Sequence, residues 1–288
     1  VKGRINMNVT TVPTQVMAAN TYAEPGFGAM LQSEWTKLRS VRSTWILTGL
    51  AVVLSIGFSA AIALVMGLTS EPFDTWSEAD RVMSDPVMSS MPGLLFSLIL
   101  LIVLGVTAVS SEYSSSTIRT TFIVNPHRVR VFVAKAVIVG LLGVVVHAIA
   151  VPGMFLASQA IYGSYGLETA GVTDSDATRF LLVVALVVPL TYTLISLSFA
   201  YLLRGTAVAI TAAIGFLFLT SNLVPLLPAW IQQHVFRFLP DVATNSLSGF
   251  TPPGEVTYLS PLPASIVVFT WLVGSLAAAA FVLNRRDV

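Results

Sequence analysis

Apolar residues run along this chain in long blocks separated by short polar breaks. Six blocks, at approximately 45–69, 92–109, 131–161, 180–203, 206–227 and 262–283, are long and apolar. Each is long enough to cross a hydrocarbon core of about 30 Å as a helix. The period-2 alternation of a membrane barrel is absent, and backbone groups in lipid must be satisfied within their own segment, so the blocks are read as helices. The second is near the lower length limit. The third is overlong and contains Pro152, and the fourth contains Pro189, so both are predicted to bend. The fold class predicted is an all-α polytopic membrane protein with six transmembrane helices.

Ahead of the first block, residues 1–27 are polar and rich in Thr, Asn, Pro and Gly, which predicts a disordered cytoplasmic tail. They lack the apolar core of a signal peptide. From Leu31 to Trp45, Leu31, Trp35, Leu38 and Trp45 recur at helical spacing, with Glu34, Lys37, Arg39 and Arg42 on the other face. That pattern predicts an amphipathic helix on the membrane surface, with Trp35 and Trp45 at the headgroup level. Residues 228–261 hold Trp230, Ile231, Val235, Phe236, Phe238, Leu239 and Leu247 broken by Pro and polar residues. This is too apolar for a free loop and too broken for a span, so short re-entrant or interfacial helices are expected.

Composition agrees. Of 288 residues, 55% are hydrophobic and 10% charged, and mean hydropathy is +0.82. A soluble domain carries about 25% charged residues. The chain is therefore not an ordinary cytosolic globular protein. A net charge of +1 lacks the basic excess of a nucleic-acid binder. Without Cys, and with three His outside any HExxH motif, disulfides, thiolate metal sites and zinc hydrolysis are not expected. No metal site is predicted, and no GxxxxGK[ST] motif marks a phosphate-binding loop.

The loops set the orientation. Lys2, Arg4, Lys37, Arg39, Arg42, Arg119, Arg128, Arg130, Lys135, Arg204, Arg285 and Arg286 fall on one side of six spans, against Arg81, Arg179 and Arg237 on the other, a split of 12 to 3. The positive-inside rule then places both termini in the cytoplasm of a multi-pass plasma-membrane protein.

The spans hold almost no ionisable residues. Lys135 and Arg204 sit near ends and can snorkel. His147 lies well inside a span and is expected to hydrogen-bond a neighbouring helix. A proton- or sodium-driven carrier would show midplane carboxylates, and none is visible, which argues against the alternative of a six-helix secondary carrier. Ser55, Ser59, Ala63 and Gly67 recur every fourth residue as a small-residue ridge for packing within the chain or against a second subunit. Thr220, Ser221 and Asn222 either line a polar substrate passage or bond across helices.

The loop after the second block reads Ser110-Ser111-Glu112-Tyr113, Thr117-Ile118-Arg119-Thr120-Thr121-Phe122, then Pro126, Arg128 and Ala134-Lys135. Ile118 and Phe122 stand one turn apart beside Arg119, an exposed apolar pair suited to docking in a partner's groove. This stretch resembles the cytoplasmic loop of ABC-2 type permeases of the actinobacterial branch, the membrane subunits of ATP-binding-cassette exporters. Glu34, Trp35, Lys37, Leu38 and Arg39 resemble the opening helix of the same branch. Ser116 stands where the family usually has Gly.

The resemblance implies an ABC-2 (type V exporter-like) fold over residues 28–288, with an N-terminal elbow helix and a cytoplasmic coupling helix. Glu112, Tyr113, Thr117, Ile118, Arg119, Phe122 and Arg128 would then couple the chain to a cytoplasmic ATPase subunit. A second permease copy or a related permease would complete the transporter. The chain would be no enzyme and would bind no cofactor, with ATP and Mg held by the partner. Glu112 would salt-bridge Arg119, Lys37 or a base of the ATPase, and Lys135 and Arg128 would anchor on anionic headgroups. Fold analogy leans toward antibiotic, drug or peptide efflux.

Overall fold

The computed structural model describes residues 26–69, 85–115, 117–124, 127–223 and 226–285. The tail expected over residues 1–27 thus lies almost wholly outside the described residues, as does Ser116. Ten α-helices account for the fold among the described residues: α1 Phe27–Ser40, α2 Arg42–Thr69, α3 Leu94–Ser114, α4 Thr117–Val124, α5 Arg128–Ser164, α6 Ser175–Leu203, α7 Thr206–Leu223, α8 Ala229–His234, α9 Pro240–Ser248 and α10 Pro261–Arg285. Five of them, α2, α3, α5, α6 and α10, are long and apolar enough to cross a membrane. The fifth predicted block is α7, an 18-residue helix.

Helix α5 has 37 residues, about 55 Å at 1.5 Å per residue, well beyond the hydrocarbon thickness. It continues unbroken through Pro152. Pro189 has a visible local consequence. Residues Val183–Val187 of α6 adopt a π-turn, in which the Val188 N–H donates to the Val183 carbonyl. In that register the next donor would come from Pro189, which has none. The Val184 carbonyl instead faces the His147 imidazole, although Nδ1 closes no hydrogen bond of ordinary geometry. His147 itself is fully buried and bonds Ser97 of α3 at 2.9 Å through Nε2.

The predicted amphipathic helix through Trp45 is two helices. Val41 is extended (φ −90°, ψ 117°) and breaks the run, so Trp45 opens α2 and its indole N–H donates to the Arg39 carbonyl at 3.0 Å. The face of α1 that is buried is Met30, Glu34 and Leu38, not Leu31 and Trp35. Residues 228–261 form α8, a short 3-10 turn at Phe236–Phe238 and α9 before the last helix.

Helices α2, α3, α5 and α6 pack side by side, with α10 against α6 and α1 laid across the start of α5. One core cluster draws Leu38, Val109, Phe132, Tyr201, Ala209 and Leu283 from six different helices and ties the charged end of the bundle together. A second, at the other end, gathers Met91, Met154, Phe155 and Phe180. The ridge Ser55, Ser59 and Ala63 is completely buried within the chain, and a Cβ on Gly67 would collide with the Tyr165 ring. Of the two uses expected of this ridge, packing within the chain is the one seen: it lies against α3 and α5 rather than open to a second subunit.

Candidate functional site

The polar residues that matter most gather where α1, α3 and α5 meet. Glu34 is the central residue of the buried face of α1, with Lys37 one turn on. Glu112 lies in the last turn of α3. Lys135 lies two turns into α5. Lys37 donates to Glu34 at 2.6 Å and to Glu112 at 2.9 Å; Lys135 donates to Glu34 at 2.5 Å and to Glu112 at 3.0 Å. Each ammonium thus bridges both carboxylates, a closed ring of alternating charge with no net charge.

Glu34 and Lys135 are 2% and 3% exposed. A buried ion in such surroundings is tolerable only if paired and hydrogen-bonded, and removing one partner leaves an uncompensated buried charge. This explains why a glutamate can occupy the core face of α1. It also corrects the expectation that Lys135 snorkels to headgroups: its ammonium turns inward to the two carboxylates. Lys37 remains partly open to solvent. Burial alone would lower its pKa, but the hydrogen bond to Glu34 and the charges of Glu112 and Glu34 outweigh it and hold the group above the ordinary lysine value of 10.5.

The ring touches α4. Lys37 also reaches the Thr121 hydroxyl at 3.5 Å, and that hydroxyl donates to the Thr117 carbonyl at 3.0 Å. Thr117 shares a 2.8 Å hydroxyl contact with Ser115. A cavity of about 420 Å³ lies beside the ring, walled by Leu38, Thr44, Thr107 and Ser111.

Helix α4 does not carry the exposed pair expected of it. Ile118 is buried at 3% exposure and Phe122 packs on the core cluster, while Ile123 projects outward at 81% exposure. An eight-residue helix cannot stand off from the bundle without anchors, and Ile118 and Phe122 serve as those anchors. Arg128 stacks over Phe122 (5.4 Å to the ring centroid) and donates to the Leu283 carbonyl at 3.3 Å, so it too is held within the protein. Tyr113 packs edge-on with Tyr201, and the Arg204 guanidinium lies over the Tyr113 ring, 5.6 Å from its centroid. The side chains of Arg119, Thr220, Ser221 and Asn222 lie outside the described residues. Trp35 and Arg39 are exposed on α1.

The sequence offered Lys37 as one of three partners for Glu112, with Arg119 and a base of the ATPase, and did not bring Glu34 and Lys135 into the ring. The available signal was the Met30, Glu34, Leu38 spacing together with a lysine one turn inside an apolar block.

A family model described as ABC-2 family transporter protein matches residues 30–222, about two thirds of the chain and all of the ring. No curated protein matches the chain.

Proposed function

Because the chain belongs to the ABC-2 transporter family, we propose that it is the membrane-spanning permease subunit of an exporter driven by a separate ATPase. The family is a membrane transport component and not itself catalytic. The match across residues 30–222 carries this reading.

In this reading α1 is the elbow helix and α4 the coupling helix, and α7 is the sixth span. Both termini and α4 face the cytoplasm, in keeping with the 12 to 3 distribution of basic residues. ATP and Mg are held by the partner, whose closing movement pushes on α4. The exposed Ile123 enters a groove of the ATPase. Ile118 and Phe122 make α4 a rigid part of the bundle, so the push does not dissipate in the loop. Thr121 and the Glu34–Lys37–Glu112–Lys135 ring then bind α4, α1, α3 and α5 into one moving body. Substrate leaves outward between two permease copies.

The test is co-purification of the tagged chain from its native membrane in gentle detergent, with ATP hydrolysis assayed on the eluate. The unmodified chain should bring down an ATPase, and Ile123→Asp, which alters only an exposed side chain, should lose it while remaining monodisperse. Recovery of the chain without any ATP-hydrolysing partner would overturn the permease reading.

A further inference from the structure

The cavity of about 420 Å³ beside the charge ring has the volume of a small-molecule site, about 300–1,000 Å³. It lies at the joint between α1 and α2, lined by Ser40 and Val41 at the break and by Ser43 and Thr44 in the first turn of α2. Helix α3 adds Leu104, Thr107 and Ser111. Three ring members, Lys37, Glu112 and Lys135, complete the lining. Ser40, Ser43 and Ser111 are exposed, so the space opens to the surface of the chain.

Buried groups around this space keep unused hydrogen-bonding capacity. Thr44 is 5% exposed, and its hydroxyl makes no hydrogen bond among the described residues. Lys135 is 3% exposed, and an ammonium has three N–H donors. Glu34 and Glu112 accept two of them. Glu112 meets both ammoniums through the same oxygen, Oε1, which leaves Oε2 as an acceptor. A spare donor, a spare acceptor and a hydroxyl able to act as either therefore line one cavity.

These groups select by hydrogen bonding and not by charge. Lys37 and Lys135 are each paired with Glu34 and Glu112, so the charges of the lining are already compensated within the ring. An anion or a cation would have to draw a member out of that ring and orphan a buried ion. A hydrocarbon tail would strand the Thr44 hydroxyl and the third Lys135 N–H, each at the cost of an unsatisfied buried polar group. Hydroxyl groups fit, because each both donates and accepts. Two of them on neighbouring carbons can accept from Lys135 and donate to Glu112, with Thr44 taking either role.

We propose that this cavity binds a vicinal diol, the glycerol or sugar hydroxyls of an uncharged polyol group, carried by a membrane lipid or free in solution. The site goes beyond the permease reading and does not depend on it.

The test uses the full chain in phosphatidylcholine nanodiscs without any ATPase, with empty nanodiscs subtracted. Radiolabelled monooleoylglycerol presents the diol on an apolar tail. Propyl oleate keeps the tail and the three-carbon ester but has no hydroxyl, and oleic acid and oleylamine carry a charge in place of the diol. The unmodified chain should bind monooleoylglycerol saturably and at least about tenfold more tightly than the other three. Thr44→Val removes the hydroxyl at nearly equal shape and should weaken binding about fivefold, as expected for one net hydrogen bond. Thr44→Ser keeps the hydroxyl and should bind as the unmodified chain does. Thr107→Phe, which fills the space from α3, should abolish binding without altering the ring. Two competitors separate the sources: displacement by soluble methyl glucoside identifies a free polyol, and displacement by a diacyl glucolipid alone identifies a lipid headgroup. Displacement by neither, equal binding of monooleoylglycerol and propyl oleate, or unchanged affinity in Thr44→Val would overturn the proposal and leave a cavity that holds water only. None of these measurements involves Ile123 or an ATPase, so failure here does not mimic failure of the permease reading.

Discussion

Lys135 shows how a single side chain can hold three helices. Its ammonium is almost wholly buried and bridges Glu34 of α1 and Glu112 of α3. Replacing it by Gln leaves two carboxylates facing the one remaining ammonium of Lys37. The expected cost is about 3–5 kcal/mol, the usual penalty for orphaning one member of a buried pair. It should be read as a lowered thermal midpoint in detergent. Glu34→Gln combined with Lys135→Gln restores neutrality and should recover much of that loss; strict additivity of the two would show that the ring is not one energetic unit. Lys37 adds a pH dependence of known sign. Its pKa is raised in the folded chain, so its contribution is fully present below the ordinary lysine value of 10.5 and is lost as pH rises through the higher folded value. The stability difference between the unmodified chain and Lys37→Met should be flat across neutral pH and close only in strong alkali. A difference that closes between pH 6 and 8 would contradict this assignment.

Helix packing depends on small residues at two crossings. Gly93 at the start of α3 lies so close to α2 that an added Cβ would strike the Ser55 backbone carbonyl, and its own N–H donates to Ser59 at 3.0 Å. At Gly105 a Cβ would lie 2.7 Å from the Thr193 carbonyl of α6. Backbone on the far side cannot swing away, so Gly93→Ala and Gly105→Ala should each destabilise by about 1–3 kcal/mol through overpacking. Gly57 and Gly274 have open space around the same construction, and alanine there should be neutral or slightly stabilising in the same melts. These contrasts mark what the sequence carried and what it did not. Block length and hydropathy sufficed for α2, α3, α5, α6 and α10, because crossing length is a local property. The direction in which each face points was not local. Glu34 looked polar and outward until Lys135, a hundred residues on, supplied its partner. Ile118 and Ile123 are equally apolar, and only the packing of α4 on the bundle decides which is hidden. The break at Val41 follows no Gly or Pro. The π-turn was foreshadowed by Pro189, but as a bend of unspecified kind.

At the scale of the whole molecule the two ends differ in chemistry. One end carries the neutral charge ring, α4 and most of the basic residues; the other carries α8 and α9, with Asp85 in the turn before α3 and Asp176 at the start of α6. If the basic end is cytoplasmic, as proposed, these two ends lie on opposite sides of the bilayer. The chain has no Cys, so single cysteines report their own position without background. Cysteine placed at Ser114 or Ile123, both exposed beside or on α4, should react with a membrane-impermeant maleimide only after the cells are opened. Cysteine at Thr173 or Glu255, exposed before α6 and before α10, should react in intact cells. Ser114 and Ile123 on one side and Thr173 on the other bracket α5, and Thr173 and Glu255 bracket α6 and α7, so the sites also count crossings. Opposite labelling of Ile123 and Thr173 requires α5 to span once. Glu255 on the same side as Thr173 requires an even number of crossings between them, which α6 and α7 together supply. Labelling of Glu255→Cys only in opened cells would mean that α7 does not cross, and the six-span arrangement would give way to five.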